Sequence, residues 1–235
     1  MSKFRESLRF SFQRSIPILI GFFPLGVAYG ILMAQAGYNF VWTGFTSMIV
    51  YAGSLQYLMV DFLTSDMSMS AIVLAAILLN SRHLFYGLSF IEKFRQFGAW
   101  KYLMIFGMSD ESYSLQCAYQ DRDDVDELSV RVLSTVFCYS YWVVSCILGG
   151  IAGSLISNFN TTGLDFVLTA VFVVITIEQL KSAKSRMPFV IAALSSVVCI
   201  VVIGPANFLL PSLIITVVAL LVLQGPINKQ LEKEA

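Results

Sequence analysis

Ionisable and polar side chains gather at the end of a long apolar run in the first half of the chain. Arg82 and His83 follow the run at 71–79, and His83 is the only histidine in the sequence. A guanidinium binds a carboxylate through paired hydrogen bonds, and an imidazole carries protons near neutral pH. Asn80 and Tyr86 lie three residues before and after His83, so a helix would place all three on one face. The alternative is that Arg82 and His83 extend from a helix end to the lipid headgroups.

Two adjacent carboxylates, Asp110 and Glu111, are the only charged residues between 102 and 120, which is otherwise a largely apolar stretch. A carboxylate at the centre of a bilayer is costly, so we expect it to be protonated, paired with a cation such as Arg82, or hydrated in a cavity. If the stretch is instead an amphipathic surface helix, both groups are simply solvated. If the stretch lies within the membrane, Arg82, Asp110 and Glu111 are predicted to form the polar centre of a translocation path. Asp110 or His83 would then carry a coupling proton.

A third polar cluster consists of Tyr51, Ser54 and Gln56 around Gly53. If a helix unwinds at Gly53, freed backbone groups and a helix end become available to a polar ligand. The alternative is a polar contact between helices. The tripeptide Ser-Leu-Gln recurs at 114–116, but three residues are too few to predict a repeat. Similar reasoning predicts helix breaks at four further positions: Pro24, Gly26, Gly30 and Gly107.

The composition determines the class of protein that must position these residues. The chain is 57% hydrophobic and only 13% charged, whereas soluble domains carry about 25% charged residues. The sequence therefore predicts an all-α, polytopic membrane protein, with residues 1–235 forming one transport domain and the lipid bilayer as its surroundings. Hydropathy indicates about eight transmembrane segments, some short or broken, with seven as the alternative count. The eight segments are 16–36, 41–63, 71–90, 102–119, 132–156, 166–180, 188–203 and 208–223. The formal net charge is zero, so no nucleic-acid partner is expected.

Lysine and arginine near the segment ends predict the orientation. Residues 1–15 are basic and are expected to lie along the cytoplasmic surface, followed by a retained first span at 16–36; cleavage after 34–36 is the alternative. With eight spans, both termini and the loops at 120–131 and 178–187 are cytoplasmic. The basic loop at 91–101 disagrees with this assignment, because it would lie outside. A re-entrant fourth span would place this loop inside, but it would then assign other loops to the wrong side.

Signatures of catalysis are absent from the sequence. It has no G-x-S-x-G, H-E-x-x-H or P-loop motif, and its cysteines lack the spacing of metal ligands. We therefore expect no enzyme activity, catalytic residue, metal or cofactor, and an ion gradient rather than ATP as the driving force. A channel or proton-conducting pore is the competing hypothesis, and an intramembrane enzyme is a third.

Four motifs cover the chain from about Ser15 to Ser114. They read Pro17-x6-Pro24-x-Gly26-x-x-Tyr29-Gly30, Tyr51-Ala-Gly-Ser-x-Gln56, Arg82-His83-Leu-x-Tyr86-Gly87 and Phe106-Gly-x-Ser-Asp110-Glu111. Taken together, these motifs resemble the AzlC family of branched-chain amino acid permeases. The resemblance implies export of valine, leucine and isoleucine across the bacterial inner membrane. It also implies an obligate partner, a small AzlD-type membrane subunit.

Overall fold

All regular elements in the described part of the chain are helices. The computed structural model describes residues 3–120, 122–156, 173, 176, 177, 180, 181, 185–204 and 208–223. This agrees with the all-α prediction, although most of the short span predicted at 166–180 and the tail after 223 lie outside the described residues. The helices are α1 Lys3–Gln35, α2 Phe40–Ile49, α3 Gly53–Thr64, α4 Met69–Arg95, α5 Trp100–Phe106, α6 Asp110–Cys117, α7 Glu127–Ile156, α8 Met187–Ile203 and α9 Leu209–Val222.

The chain divides into two compact units. The first comprises residues 1–65 and 81–168, and therefore contains α1 to α3, the second part of α4, and α5 to α7. The second comprises residues 66–80 and 169–235, with the first part of α4, α8 and α9. In the second unit α8 packs against α9, and a hydrogen bond of 2.5 Å joins the hydroxyls of Ser195 and Thr216. The single transport domain remains a prediction.

The first unit is built on α1 and α7, which run parallel and pack along most of their lengths. Glycines allow this close approach. A Cβ on Gly30 would overlap the Cys146 carbonyl oxygen and the Gly150 amide, and one on Gly26 would overlap the Ser145 side chain. Small residues let helix backbones approach closely in membrane proteins, where dispersion contacts rather than water exclusion hold helices together.

The helix break predicted at Pro24, Gly26 and Gly30 is wrong. α1 is continuous from Lys3 to Gln35 and passes through Pro17 and Pro24. Proline is tolerated within a membrane helix because neighbouring groups satisfy the freed backbone. The two glycines serve the contact with α7, a role that the sequence pattern did not distinguish from a break.

The basic N-terminal segment, which the sequence predicts to lie along the cytoplasmic surface, packs against another helix. Three serines at a spacing of four residues, Ser7, Ser11 and Ser15, are buried in α1. The Ser7 hydroxyl accepts a hydrogen bond from the Asp126 amide at 2.9 Å, and the Ser11 hydroxyl donates to the Val130 carbonyl at 3.2 Å. The segment is thus part of α1 and packs on the start of α7. The placement of 1–15 and 120–131 on the cytoplasmic side of the membrane remains a prediction.

Two of the predicted spans are each interrupted in the middle. The span at 41–63 consists of α2 and α3, separated by residues 50–52, and Tyr51 has a positive φ of 39° that side-chain-bearing residues rarely adopt. The span at 102–119 consists of α5 and α6, separated by residues 107–109. The structure therefore has a break beside Gly53 and another at Gly107, where breaks were predicted.

By length and composition, two of the described helices can cross a membrane, Lys3–Gln35 and Glu127–Leu155. A third is added if the bent pair Met69–His83 and Tyr86–Arg95 counts as one span. These helices support a membrane location for the chain. The count of eight spans remains a prediction, because α8 and α9 are short and part of the C-terminal third is not described.

Candidate functional site

Arg82 connects the two interrupted spans. Its Nη1 donates to Asp110 Oδ2 at 2.6 Å, and its Nη2 donates to the Ser54 hydroxyl at 3.1 Å. Asp110 is the first residue of α6 and Ser54 the second residue of α3, so one guanidinium holds the starts of both half-helices. The side chains of Arg82 and Asp110 are 32% and 25% exposed, so the pair is partly buried rather than fully solvated. The structure thus brings together three of the residues singled out in the sequence.

The start of α6 is strongly specified by its own sequence. The Ser109 hydroxyl accepts from the Ser112 amide, and the Ser112 hydroxyl accepts from the Ser109 amide, which makes a capping box. Asp110 and Glu111 occupy the first turn, where negative charge interacts favourably with the helix dipole. A Cβ on Gly107 would overlap the side chain of Thr135, so glycine permits the close approach of α7 at the break.

Tyr86 completes the environment of Asp110. Its hydroxyl donates to Asp110 Oδ1 at 2.5 Å, so both carboxylate oxygens accept hydrogen bonds. The Tyr86 ring stacks on Tyr113 with 4.6 Å between centroids, and His83 meets its edge at 5.7 Å. His83 therefore contacts Tyr86, which in turn is hydrogen-bonded to the ion pair. Asn80 lies in the part of α4 that belongs to the second unit, so the face it was predicted to share with His83 and Tyr86 remains a prediction.

The start of α3, unlike that of α6, has neither a side-chain cap nor an acidic residue in its first turn. Its N-cap, Ala52, provides no side-chain hydrogen bond, which leaves the positive end of the helix dipole uncompensated. Three buried polar atoms near this turn have no partner in the described part of the chain: Tyr51 Oη, Gln56 Nε2 and Arg82 Nε. Each can donate a hydrogen bond, and buried donors are seldom left unsatisfied. The arrangement favours an anionic or strongly accepting ligand at the start of α3.

Aromatic rings lie beside this donor-rich turn. Tyr51 is only 5% exposed; its ring stacks on Phe106 at 6.4 Å and meets Tyr139 at 4.9 Å. Its hydroxyl approaches Ser109 without making a hydrogen bond of good geometry. Since Phe106 ends α5 and Ser109 caps α6, the two breaks face each other across Tyr51. Apolar and polar surfaces therefore adjoin at the point where both spans are interrupted.

Two glutamines fix the half-helices to α7, and both come from the recurring Ser-Leu-Gln tripeptide. Gln56 in α3 accepts from the Trp142 indole N–H at 2.8 Å. Gln116 in α6 donates to the Arg131 carbonyl at 3.1 Å and to the Thr135 hydroxyl at 3.2 Å. The sequence predicted a site role for Gln56 alone. In the structure Gln56 attaches α3 to α7, and Gln116 attaches α6 to α7 in the same way.

Sequence reasoning missed Arg131, which it assigned to a charged loop. Arg131 lies in α7 and is 2% exposed. Its Nε donates to Glu127 at 2.7 Å, its Nη1 donates to Gln116 Oε1 at 2.8 Å, and its guanidinium covers the Tyr119 ring at 4.6 Å. The spacing of Glu127 and Arg131 by four residues was the available signal, because it predicts an ion pair on one helix face.

The cluster presents charges of both signs that can bind a charged ligand. Arg82 presents a cation, and Asp110 with Glu111 presents two carboxylates in the first turn of α6. Among the described residues no three His, Cys, Asp or Glu side chains are grouped to hold a metal ion. A small zwitterion, with one carboxylate and one ammonium, matches both halves of the cluster.

Comparison with known proteins agrees with the resemblance seen in the sequence. The family model described as "AzlC protein" matches residues 17–156, which include every residue of the cluster. A relative from Bacillus subtilis, named "Branched-chain amino acid transport protein AzlC", is 35% identical over 97% of this chain and 89% of its own length. An "Uncharacterized membrane protein" of Helicobacter pylori strain 26695 is 30% identical over 99% of this chain and 100% of its own.

A more distant relative is the "Inner membrane protein YgaZ" of Escherichia coli, 26% identical over 73% of this chain and 72% of its own length. No solved structure matches the chain. The family match spans more than half of the sequence, and the Bacillus subtilis and Helicobacter pylori relatives align over nearly all of it. The chain belongs to the AzlC family.

Proposed function

We propose that this protein is a secondary transporter that exports branched-chain amino acids across the bacterial inner membrane. Family membership supports the substrate class, because the Bacillus subtilis relative is named a branched-chain amino acid transport protein. The observation that carries the proposal is the Arg82–Asp110 ion pair at the interrupted spans. Broken membrane helices whose ends meet polar groups are a recurring form of transporter binding site.

Each end of the substrate has a counterpart in the cluster. The carboxylate binds near the uncapped start of α3, where Arg82, the Tyr51 hydroxyl and the helix dipole all favour an anion. The ammonium binds at the start of α6, where Asp110 and Glu111 supply negative charge. The aliphatic side chain packs against apolar and aromatic surface, to which the rings of Tyr51 and Phe106 contribute.

The internal ion pair makes such binding reversible. In the absence of substrate, the charges of Arg82 and Asp110 neutralise each other. When a zwitterion binds, the ion pair between Arg82 and Asp110 is replaced by two ion pairs with the substrate, one at its carboxylate and one at its ammonium. These new contacts largely offset the cost of separating Arg82 from Asp110. Binding that is nearly balanced allows the substrate to leave on the other side. This is what a transporter needs and what a storage or scavenging site does not.

Three further features belong to the proposal. An ion or proton gradient drives export, because the chain has no nucleotide-binding motif. A small AzlD-type membrane subunit assembles with the chain to form the active complex. Both termini face the cytoplasm. Co-expression with a small membrane protein of that type and purification through one tag tests the second feature: a stable pair supports it, whereas full transport by the chain alone contradicts it.

Counterflow separates a transporter from a channel. Proteoliposomes loaded with unlabelled valine should accumulate labelled valine transiently, because a carrier must return with substrate bound. A channel gives equilibration without this overshoot. We expect Arg82→Gln and Asp110→Asn to abolish counterflow, and Asp124→Asn, which alters an exposed carboxylate, to leave it unchanged. Cells that lack or overproduce the protein and are fed a valine dipeptide report the direction. Valine efflux that is equal in both strains would reject export.

A further inference from the structure

Asp110 and Glu111 are neighbours in the sequence, but they have different partners. Both oxygens of Asp110 accept hydrogen bonds, one from Arg82 and one from Tyr86. Glu111 forms no ion pair within the described part of the chain. The two carboxylates are thus not equivalent, although the sequence analysis assigned the coupling proton to Asp110 or His83.

The charges around Glu111 do not balance. Its side chain is partly buried in the first turn of α6, directly beside Asp110. The cation of this cluster, Arg82, is bound to Asp110. One guanidinium therefore faces two carboxylates. A second carboxylate in a site of low dielectric constant requires a second positive charge, either a proton or an external cation.

We propose that Glu111 is the exchange residue of the transporter, whose carboxylate holds either a proton or the ammonium group of the substrate but never both. This inference rests on the proposed transport function and adds the coupling step to it. When the site is open to the outside, the Glu111 carboxylate takes one proton from external water. When the site is open to the cytoplasm, the carboxylic O–H gives that proton to water, and the substrate ammonium binds in its place. One proton enters for each amino acid exported.

Asp110 has a different task in this scheme. It stays bound to Tyr86 and positions Arg82, so that the guanidinium can receive the substrate carboxylate. The His83 ring contacts Tyr86, and the exchange as proposed does not use it. Competition at a single carboxylate is sufficient for antiport, since the protonated and the substrate-bound forms exclude each other.

Proton release on binding tests the inference directly. Purified full-length protein in detergent, in weakly buffered solution with a pH-sensitive dye, receives valine at several pH values, and the dissociation constant is measured in parallel. The wild-type protein should release one proton per valine bound on the acidic side of the titration. Its dissociation constant should rise about tenfold for each unit of decreasing pH there, as one-proton competition requires.

Three variants make the result specific. Glu111→Gln should bind valine at least about tenfold more weakly at alkaline pH, release no proton and show no pH dependence in the acidic range. Glu111→Asp retains a carboxylate and should release a proton with a shifted midpoint. Glu92→Gln changes an exposed carboxylate in α4 and should behave as the wild type.

The outcomes separate this inference from the proposed function. If the wild-type protein does not bind valine saturably, the proposed function fails. If it binds valine without releasing a proton, or if Glu111→Gln still releases one, the exchange role of Glu111 is wrong while transport stands. An unshifted midpoint in Glu111→Asp also contradicts it.

Discussion

Arg82 Nη1 lies 2.6 Å from Asp110 Oδ2, although 28 residues separate the two in the sequence. The contact joins α4 to the first turn of α6. The same guanidinium reaches Ser54 in α3, so the geometry of its fork, and not only its charge, determines how the two half-helices meet. This relationship underlies the first prediction.

Arg82→Lys should retain the charge but lose most of the transport. An ammonium is a point charge on a flexible stem and cannot bridge Asp110 and Ser54 in one fixed plane. We expect the initial rate of valine counterflow to fall by at least about tenfold, which corresponds to about 1.4 kcal/mol. The matched control is Arg95→Lys, at the exposed end of the same helix, and it should transport normally. Wild-type rates in Arg82→Lys would show that charge alone is enough.

Removal of two different tyrosine hydroxyls should have opposite effects on stability and valine affinity. Among the described residues, the buried Tyr51 hydroxyl has no hydrogen-bond partner. Tyr51→Phe should therefore leave thermal stability unchanged or raise it while weakening valine affinity. The Tyr57 hydroxyl donates to the Leu25 carbonyl in α1, so Tyr57→Phe should lower stability by about 0.5–1.5 kcal/mol with affinity unchanged. Melting curves with and without valine measure both effects. A loss of stability without a loss of affinity in Tyr51→Phe would mean that its hydroxyl has no ligand role.

Gly30→Ala should destabilise the protein because its methyl group would overlap the α7 backbone at Cys146 and Gly150. Forced overpacking typically costs about 1–3 kcal/mol. Gly21→Ala in the same helix is the matched control, since no atom lies within 4 Å of its added methyl. The melting temperature should fall for the first variant and stay constant for the second. Equal behaviour would mean that α1 and α7 do not pack as closely as described.

Arg131→Met should loosen the attachment of α6 to α7. The change leaves the Gln116 carbonyl and side-chain oxygens without their buried donor, and an unsatisfied buried acceptor costs about 1–3 kcal/mol. Arg122→Gln removes an exposed ion pair with Asp124 and should have no measurable effect. Thermal unfolding in detergent compares the two. If both variants unfold like the wild type, the buried network does not support α6.

Asp126 should make stability depend on pH at the start of α7. The hydroxyl and the amide of Ser129 both donate to its carboxylate, and these bonds lower the pKa of Asp126 below its usual 3.8. A lowered pKa in the folded state means that the stabilisation is present above the unfolded value and is lost as pH falls below it. Asp126→Asn should therefore melt at a lower temperature than the wild type near neutral pH, and the difference should shrink on acidification. A constant difference would contradict the assignment.

The sequence was most informative where a residue type had few physical options. A guanidinium and a carboxylate within apolar stretches must find partners, and Arg82 and Asp110 were accordingly expected to pair. Gly53 and Gly107 were expected to mark breaks, and both lie at interruptions of helices. The functional roles of these residues remain predictions.

The sequence was ambiguous where one residue type serves two purposes. Gly26 and Gly30 were interpreted as helix breakers, but they allow α7 to approach α1, and only the position of the second helix decides between the two roles. Arg131 resembled a loop charge because several charged residues precede it. Its burial depends on contacts with Gln116 and Tyr119, which no local pattern predicts.

The length of α1 determines where part of the protein stands relative to the membrane surface. A helix of 33 residues is about 50 Å long, whereas the hydrocarbon core is about 30 Å thick. The surplus of about 20 Å includes the turns that carry Ser7 and Ser11, which are fastened to the start of α7. We therefore expect the first turns of α1 and the start of α7 to extend together beyond the hydrocarbon core on one side of the membrane.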